Sequence, residues 1–462
     1  MACASSETVS KMQHINISVE NREKNLNINA LPLDANTNGW SALLSPRVAK
    51  PSLRQTIKAD WLVIGAGYAG LAFARRIAEN RPHEQVVVLD AVDIDDSASA
   101  RNSGFAIDLP HNIGSSTAEL EKAANYRRLL HAGLAQLEAL IARHAIECDW
   151  NRHGKYHCIV RPELGGLLEQ YAHELQALSE PYQLLQGETL ARQLGTPYYH
   201  AAIHTPNCVL LNPAALVRGL ADSLPDNVTL YERSPALEIQ PGRTVRVRTP
   251  YGEVQARQVM VATNGCARQL PMFSRQVVGL STFATLTEPL TAEQQQRIGQ
   301  IGEWGMTPAN AIAGATLRYT RDHRFLIRQH VAYVPGYTVT TRYTAEITRR
   351  HQAIFLSRFP QLADVPVAHT WSGMISVTRN GAPGWGRYGD NLYAAVGCNG
   401  AGISKQTIAG STLADLATGV DNPLIADMQA LGKPNFIPPR PLLDIGIHGS
   451  ILKERWLGRK EY

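Results

Sequence analysis

The stretch DWLVIGAGYAG at residues 60–70 determines the fold that we predict. Its apolar residues 61–64 form a short strand, and the G-x-G-x-x-G pattern leads into a helix over residues 71–78. A second apolar strand, Val86–Leu89, follows this helix. A strand, a glycine turn, a helix and a second strand make a βαβ unit, so the sequence predicts an α/β protein with helices packed on a parallel sheet.

The glycine turn and the acid after the second strand predict a nucleotide cofactor. Gly65 allows the tight turn, Gly67 lets a pyrophosphate approach the backbone, and Gly70 lets helix and strand pack closely. Asp90 lies 20 residues after Gly70, where a carboxylate accepts hydrogen bonds from both ribose hydroxyls of an adenosine. We therefore expect NAD or FAD rather than NADP. The alternative is a glycine turn in a βαβ unit that binds no cofactor.

Composition excludes several classes of protein. The 462 residues are 44% apolar and 18% charged with a net charge of +5, a globular balance rather than a disordered one. The basic residues are scattered, so no nucleic-acid partner is predicted. Six cysteines without a C-x-x-C pair favour a reducing compartment, and the His and Cys spacing predicts no metal site. We find no signal-peptide pattern and no transmembrane segment in the sequence, so we expect a cytoplasmic location.

Two further motifs distinguish FAD from NAD. The run SASARNSG at 97–104 resembles the G-A-S-G-R-N-G-G run of the FAD-dependent D-amino-acid oxidase and glycine oxidase superfamily, with Ser97, Ala100 and Ser103 in place of three glycines. The run LYAAVGCNGAGIS at 392–404 is similar to the closing flavin motif of that superfamily, a strand and glycine turn followed by a helix. A helix N-terminus directed at the flavin would stabilise the negative charge that develops on reduction.

The resemblance implies that FAD is the cofactor and that two weaker markers belong to its site. These markers are the strand end VMVATNG at 259–265 and Val209. Relatives with a cysteinyl flavin carry the cysteine near the position of Met374, so the resemblance implies non-covalent FAD. The residues expected to bind it are Gly65, Gly67, Tyr68, Ala69, Gly70, Asp90, Ala91, Ser99, Arg101, Asn102, Ser103, Gly104, Val209, Thr263, Asn264, Gly265, Gly397, Asn399, Gly400, Gly402, Ile403 and Ser404.

The resemblance also implies the domain organisation, a mixed α/β fold. A Rossmann-like FAD-binding domain of discontinuous segments alternates with a substrate domain that contains a large mixed β-sheet. The predicted segments are a flexible leader at 1–40, the FAD-binding domain at 41–115, 205–270 and 371–430, the substrate domain at 116–204 and 271–370, and a C-terminal tail at 431–462. We expect the basic, amphipathic end of the tail to pack on the parent domain, with contact to a membrane surface or partner as the alternative.

Periodicity predicts further elements between the motifs. Leucines and alanines at three- and four-residue spacing predict a helical region over 117–150, which we place in the substrate domain. Alternation predicts strands at 156–160, 228–238, 245–247 and 254–262, short β-rich runs including AYVPGYTVT within 271–370, and a helix over 345–359.

Three stretches narrow the resemblance to one branch. TLTEPL at 285–290, LRYTRDHRFL at 317–326 and WSGMI at 371–375 look most like the gamma-glutamylputrescine oxidoreductase branch. By resemblance, this branch oxidises a C–N bond of an amine with FAD, and water hydrolyses the resulting imine to an aldehyde and an amine or ammonia. The resemblance therefore implies an oxidase or dehydrogenase acting on CH–NH or CH–NH2 donors, with a small-molecule amine and with O2 or another electron acceptor as partners.

Two departures concern the α-carboxylate of a substrate. Ile375 stands where amino-acid oxidising relatives carry a carboxylate-binding arginine, and Ser404 stands where the sarcosine-oxidase type carries a lysine. A carboxylate buried without a partner costs several kcal/mol, so we predict an amine that lacks an α-carboxylate. Ile375, Arg318 and Trp371 are the expected substrate contacts, and Arg318 and Arg379 are candidates to bind an acid at the far end of the substrate.

The residues that would assist the electron acceptor are less evident. Oxidases of this superfamily commonly carry a lysine beneath the flavin, yet no lysine occurs between Lys155 and Lys405. Either His323, Arg324 or His369 supplies a positive charge, or oxygen is a poor acceptor and electrons leave by another route. His323 and Arg324 are the catalytic candidates, and Arg324 is also a candidate for a distal acid. A neutral amine held close to a flavin needs no obligate base.

Two other functions remain open. The first is an FAD-dependent amino-acid oxidase or dehydrogenase, or a monooxygenase; a monooxygenase would need a second dinucleotide fingerprint or a G-D pair before the closing helix, whereas Gly389-Asp390 precedes the strand. The second is a flavin-binding accessory protein whose replaced glycines reflect lost turnover.

Overall fold

Two β-sheets form the framework of the computed structural model, which describes residues 25–31, 37–110, 117–309 and 314–461. The strands are β1 Leu26–Asn27, β2 Thr56–Ile64, β3 Val86–Leu89, β4 Phe105–Ala106, β5 Lys155–Ile159, β6 Gln183–Gln186, β7 Ala201–Thr205, β8 Val209–Leu210, β9 Val228–Tyr231, β10 Glu238–Gln240, β11 Val245–Arg248, β12 Glu253–Val261, β13 Val277–Thr287, β14 Trp304–Pro308, β15 Thr316–Tyr319, β16 Phe325–Ala332, β17 Val367–Thr378, β18 Gly384–Arg387 and β19 Leu392–Val396. The helices are α1 Gly39–Ala42, α2 Tyr68–Asn80, α3 Thr117–His144, α4 Gly165–Ala177, α5 Gly187–Leu194, α6 Pro213–Asp222, α7 Ala292–Arg297, α8 Thr341–Arg358, α9 Gly402–Thr418, α10 Leu424–Ala430 and α11 Leu442–Leu457.

The first sheet is built on the predicted βαβ unit. β2 and β3 are parallel, with Trp61 opposite Val86, and α2 connects them. The strand order is β1-β10-β11-β12-β2-β3-β9, with β19 alongside β12 and β18 alongside β19. Leu62 and Val63 are both fully buried but belong to different apolar clusters, because adjacent residues of a strand point to opposite faces and both faces are covered. The predicted Rossmann-like unit is confirmed.

Helices α2 and α9 pack closely over this sheet because small residues lie at their contact. A Cβ added at Gly410 of α9 would clash with the carbonyl oxygen of Ala69 in α2. Phe73 and Leu413 are fully buried members of the same core. Glycine at the crossing therefore brings the closing-motif helix directly against the first helix of the βαβ unit.

The second sheet is mixed and has eight strands. Their order is β17-β13-β16-β15-β14-β5-β7-β6, with β14 and β5 parallel and the other neighbours antiparallel. Trp304, Phe325, Phe355 and Phe359 form an aromatic core together with α8 on one face. The other face is turned toward the first sheet, which is the arrangement expected of a substrate domain beside a nucleotide-binding domain.

Two predicted domain boundaries need correction. Helix α3, which we placed in the substrate domain, packs on α9, and its Leu129, Leu134 and Leu137 belong to the core of the first sheet. β17, which we assigned to the FAD-binding domain from residue 371 onward, pairs with β13 along its length and belongs to the second sheet. Both errors arose because sequence order does not reveal which core an apolar face joins.

The described part of the predicted leader is attached rather than flexible. Leu26 pairs with Ile239 in the first sheet, Ile28 is buried, and Trp40 is buried in α1. Residues 1–24 and 32–36 of that leader lie outside the described part of the chain. Short segments of this kind lack the length for a periodic signal, so composition alone suggested a loose leader.

Most of the remaining elements match the predicted ones within a few residues. The predicted strand over 228–238 is two strands, β9 and β10, and the AYVPGYTVT run is β-strand only at Ala332, where β16 ends. In the described residues we find no helix long and apolar enough to cross a membrane.

Candidate cofactor and substrate site

A cavity of about 1520 Å³ lies between the two sheets. Sites for a single drug-sized ligand are roughly 300–1,000 Å³, so this cavity has room for a dinucleotide and a small substrate together. The glycine turn, the 97–104 loop and the closing turn form one side, and strands of the second sheet with part of α11 form the other.

The glycine turn forms a tight cradle at one end of the cavity. Gly65 has φ of 106°, a conformation that strains any side chain. A Cβ at Gly70 would clash with the carbonyl oxygen of Gly65, and a Cβ at Gly67 would lie 2.7 Å from the Ser99 hydroxyl oxygen. Because α2 begins at Tyr68, its unpaired N–H groups are available to an anion in this cradle.

The Asp90 carboxyl group closes the same end of the cavity. Its Oδ2 accepts a hydrogen bond from the Ala66 backbone N–H at 2.7 Å, and its Oδ1 accepts one from the Val92 N–H at 3.1 Å. Burial raises the pKa of Asp90 to about 6 although both hydrogen bonds favour the charged form. A ligand that donates further hydrogen bonds would favour the carboxylate and stabilise it.

The glycine replacements in the 97–104 loop fit its backbone. Ser97, Ala100 and Ser103 are not among the residues with positive φ, whereas the glycine retained, Gly104, has φ of 75°. A Cβ at Gly104 would also clash with the Leu211 carbonyl oxygen. The loop thus keeps glycine where the conformation demands it, and the replacements elsewhere give no structural reason to expect lost turnover.

Buried side chains hold this loop against the second sheet. The indole N–H of Trp371 donates to the carbonyl oxygen of Arg101 at 3.0 Å, and that of Trp40 donates to the carbonyl oxygen of Asn102 at 2.8 Å. Arg101 in turn donates to the Ser372 carbonyl oxygen at 3.1 Å and pairs with Asp96. These hydrogen bonds fix the position of the loop against the rest of the chain.

The closing motif forms a second turn that faces the cavity. β19 ends at Val396, and α9 begins at Gly402. Asn399 accepts a hydrogen bond from the Thr378 N–H at 2.8 Å and donates to the Gly381 carbonyl oxygen at 2.9 Å, which holds the turn on β17. The N-terminus of α9 is thereby presented at the cavity wall, with its partial positive charge.

The structure brings together most of the residues predicted to bind the cofactor. All of them line the cavity except Gly70, Gly104, Val209 and Ser404, which lie behind its wall. Ser404, for example, is fully buried and donates to the Ile107 carbonyl oxygen at 2.7 Å. The predicted substrate contact Ile375 also lines the cavity, as does Arg379.

Two predicted substrate contacts do not fit the structure. Arg318 is buried outside the cavity wall, donates to the Leu211 carbonyl oxygen at 2.6 Å and pairs with Glu303 at 2.9 Å. Trp371 supports the 97–104 loop from behind. The sequence stretches that contain Arg318 and Trp371 therefore form the interface between the two domains and do not contact a substrate.

The predicted catalytic candidates lie in the turn between β15 and β16, away from the cavity wall. The Nδ1 atom of His323 lies 3.1 Å from the Tyr319 hydroxyl oxygen, and Arg324 pairs with Asp322 at 2.7 Å. His369 is also absent from the cavity wall. None of these three side chains therefore provides a positive charge at the cavity wall.

Sequence reasoning missed a row of polar side chains on the second sheet. Arg328 of β16 lies opposite Thr316 of β15, and Thr307 of β14 lies opposite His157 of β5. All four line the cavity together with Lys155. The signal was present as strand alternation, but only the strand order shows that residues distant in sequence share one face.

From the sequence we found no candidate for a lysine in the substrate-domain sheet near the flavin, but Lys155 lies in that sheet. It is the first residue of β5, is only 5% exposed and lies at the cavity wall. Burial disfavours its charge, but Tyr171, Cys208 and Asp108 outweigh this and raise the pKa of Lys155. The ammonium therefore stays protonated beside the cavity at neutral pH. The lysine-free span of the sequence begins at residue 156, directly after Lys155.

Comparison with known proteins agrees with this geometry. A family model described as FAD dependent oxidoreductase matches residues 60–416. The chain belongs to this family. The flavoprotein is 26% identical to a probable oxidoreductase, OrdL, of Haemophilus influenzae over 407 residues, 86% of this chain and 91% of the relative. It is also 26% identical to gamma-glutamylputrescine oxidoreductase of Escherichia coli over 380 residues, 80% of this chain and 85% of the relative.

A solved structure supports the fold. Glycine oxidase from Geobacillus kaustophilus superposes on the flavoprotein with a TM-score of 0.66 at 19% identity, covering 79% of this chain and 96% of that chain. The predicted superfamily, the mixed α/β fold and FAD as cofactor are confirmed. The cavity residues fit this cofactor: the glycine cradle suits a pyrophosphate, Asp90 suits a ribose, and the closing turn presents a helix N-terminus.

Proposed function

We propose that this FAD-dependent oxidoreductase oxidises a C–N bond of an amine that lacks an α-carboxylate. The observation that carries this proposal is the position of Ile375, which is apolar and lines the same cavity as the cofactor cradle. A carboxylate placed against Ile375 would lose its hydration without gaining a partner from that side chain, which costs several kcal/mol.

The surroundings of Ile375 support the same conclusion. In the register of β13 and β17, Ile375 lies opposite Leu280, and Val377 lies opposite Val278. All four side chains line the cavity and form an apolar patch. A neutral amine or a methylene chain fits such a patch, whereas an ammonium or carboxylate group does not.

The polar row favours a substrate with a hydrogen-bond acceptor or an anionic group at its far end. Arg328, which is half-buried, and Lys155, which is buried, are both cations at the cavity wall, with Thr307 and Thr316 between their strands. A γ-glutamyl or similar conjugated amine combines an apolar amine arm with such an end. The name of the Escherichia coli relative, gamma-glutamylputrescine oxidoreductase, is compatible with this substrate class.

The reaction needs little acid–base chemistry from the chain. FAD, when bound, supplies a two-electron acceptor. The amine carbon loses a hydride equivalent and its nitrogen loses a proton, and water then hydrolyses the imine to an aldehyde and a released amine or ammonia. The apolar patch around Ile375 keeps the amine neutral and excludes water, while the α9 N-terminus provides partial positive charge at the cavity wall. The electrons then pass to O2 or to another electron acceptor.

Product analysis with a panel of amines tests this proposal. We expect a γ-glutamylated diamine to give one aldehyde and one released amine or ammonia for each pair of electrons transferred, and we expect glycine, sarcosine and D-alanine to give little product. Lys155→Gln is expected to raise KM about tenfold for the substrate with a carboxylate end, by loss of one charged hydrogen bond, with a smaller effect on its uncharged amide analogue. Equal turnover of the simple amino acids would refute the proposal.

A further inference from the structure

The C-terminal helix α11 has an inner face that packs on the second sheet. Leu443 joins a cluster with Val278 and Tyr333, and Ile447 and Ile451 pack against this cluster. Ile447 and Ile451 also line the cavity. The inner face of α11 is thus part of the cavity wall, and the helix packs on the second sheet.

The outer face of the same helix carries an exposed apolar stripe. Leu442, Ile445, Leu452 and Trp456 are 61%, 67%, 64% and 62% exposed, and with Gly449 their spacing alternates between three and four residues, which places them on one side of a helix. Among the described residues, six of the eleven exposed large apolar side chains lie within 436–457. A concentration of this kind marks an interaction surface, whereas single exposed apolar residues do not.

The charges around the stripe are basic. Lys453 and Arg459 are exposed, and the Arg459 guanidinium lies 4.2 Å from the centre of the Trp456 ring. The two acidic residues of α11 are directed elsewhere: Asp444 accepts a hydrogen bond from Tyr333 at 2.9 Å, and Glu454 lines the cavity. The outer face therefore combines apolar side chains with positive charge.

We propose that α11 docks this flavoprotein on the surface of an anionic lipid bilayer. Its 16 residues span about 24 Å, so the helix lies in the plane of the membrane rather than across it. A tryptophan with leucines on the apolar side and basic residues beside them is the composition of interfacial helices. The proposal goes beyond the proposed oxidation, because it concerns where the protein acts and does not depend on the substrate.

A second copy of the chain fits this face less well. A two-fold contact must be self-complementary, with residue i of one copy meeting residue j of the other and the reverse, yet the outer face offers the cations Lys453 and Arg459 while the two acids of α11 are directed elsewhere. Anionic headgroups complement these charges instead. Each lysine or arginine near an anionic membrane surface contributes about 1 kcal/mol of attraction.

Vesicle flotation of the FAD-loaded protein tests the proposal. We expect binding to vesicles of phosphatidylcholine with phosphatidylglycerol, weaker binding to phosphatidylcholine alone, and a decrease with added salt. The double variant Leu452→Glu/Trp456→Glu is expected to lower the partition coefficient at least ~10-fold for each residue, because each change removes a buried apolar side chain at the membrane. Lys453→Gln and Arg459→Gln are expected to lower it ~5-fold each.

A matched control separates this surface from general effects. Leu184 is a leucine of similar exposure, 57%, on strand β6, so Leu184→Glu should bind vesicles like the wild type. All substituted side chains are exposed, and retained FAD absorbance will show that each variant folds. The proposal is overturned if the wild type ignores anionic vesicles, if the double variant binds like Leu184→Glu, or if sedimentation shows a wild-type dimer that the double variant converts to monomer. Loss of amine oxidation with intact vesicle binding would refute only the proposed function.

Discussion

Replacing Asp90 by asparagine should weaken FAD binding without unfolding the protein. The two oxygens of Asp90 accept hydrogen bonds from two different backbone groups, Ala66 N–H at 2.7 Å and Val92 N–H at 3.1 Å. An asparagine has one acceptor oxygen, so one of these N–H groups would face an amide NH2 group. Leaving that donor unsatisfied costs ~1–3 kcal/mol.

A second effect opposes this cost in the apoprotein. Burial raises the pKa of Asp90 from 3.8 to about 6, so holding its charge at neutral pH costs ~3 kcal/mol. This penalty applies fully above pH 6 and disappears as the pH falls from 6 toward 4, because the folded state takes up a proton before the unfolded state does. Asparagine carries no charge and avoids the penalty, so the two effects nearly cancel at neutral pH.

FAD binding has no such compensation. A carboxylate accepts charged hydrogen bonds from two ribose hydroxyls, and each is worth ~1.5–3 kcal/mol. The amide side chain of the Asp90→Asn variant is expected to keep at most one of them, so the Kd for FAD should rise ~10- to 100-fold. Binding to the wild type should also weaken ~10-fold per pH unit below about pH 6, because FAD needs the carboxylate and the apoprotein protonates it there.

Titration of the apoprotein with FAD, monitored by the quenching of flavin fluorescence at about one pH unit below and about two pH units above the pKa of Asp90, measures both effects. The variant should show weaker binding with a flat pH profile, and its thermal midpoint without FAD should stay close to that of the wild type. Equal affinity of the two proteins at neutral pH, or a flat profile for the wild type, would refute the assigned role of Asp90.

Further predictions concern the joints of the fold and the cofactor linkage. Gly70→Ala and Gly410→Ala place a Cβ against backbone oxygens, so each should lower the free energy of unfolding by ~3 kcal/mol or more. Gly166 has open space around it, so Gly166→Ala should leave the free energy of unfolding unchanged or raise it by ~0.5–1 kcal/mol. Urea unfolding measures all three variants. Glu303→Gln leaves the buried Arg318 without its charged partner and should cost ~3 kcal/mol of stability with KM unchanged; a rise in KM alone would return Arg318 to the substrate site. Acid precipitation should leave all FAD in the supernatant, and a yellow pellet would contradict the proposed non-covalent linkage.

Local sequence patterns were sufficient for the nucleotide-binding half. The cradle and the 97–104 loop are each contiguous, so their chemistry can be recognised without the fold. Asp90 could be placed for the same reason, since it follows a strand paired directly with β2. Here the elements are neighbours in sequence as well as in space.

The substrate half could not be predicted in this way. Lys155, Thr307 and Arg328 come from three different strands. More than a hundred residues separate β5 from β14 in the sequence, and β15 lies between β14 and β16 in the sheet. No local sequence pattern links the three side chains. Arg318 and Trp371 do have a structural role, but it lies at the interface between the domains, where buried polar groups need hydrogen-bond partners. The role of α3 was also hidden, because its apolar face could have joined either core.

The central claim is that one cavity holds FAD and an amine without an α-carboxylate. Anaerobic mixing of the FAD-loaded protein with single amines, followed by flavin absorbance in a stopped-flow instrument, tests it most directly. We predict rapid bleaching by a γ-glutamylated diamine and bleaching by glycine, sarcosine or D-alanine at least ~100-fold slower, the ratio expected when a buried carboxylate lacks a partner. Bleaching by these amino acids at a similar rate, or no bleaching by any amine, would contradict the account.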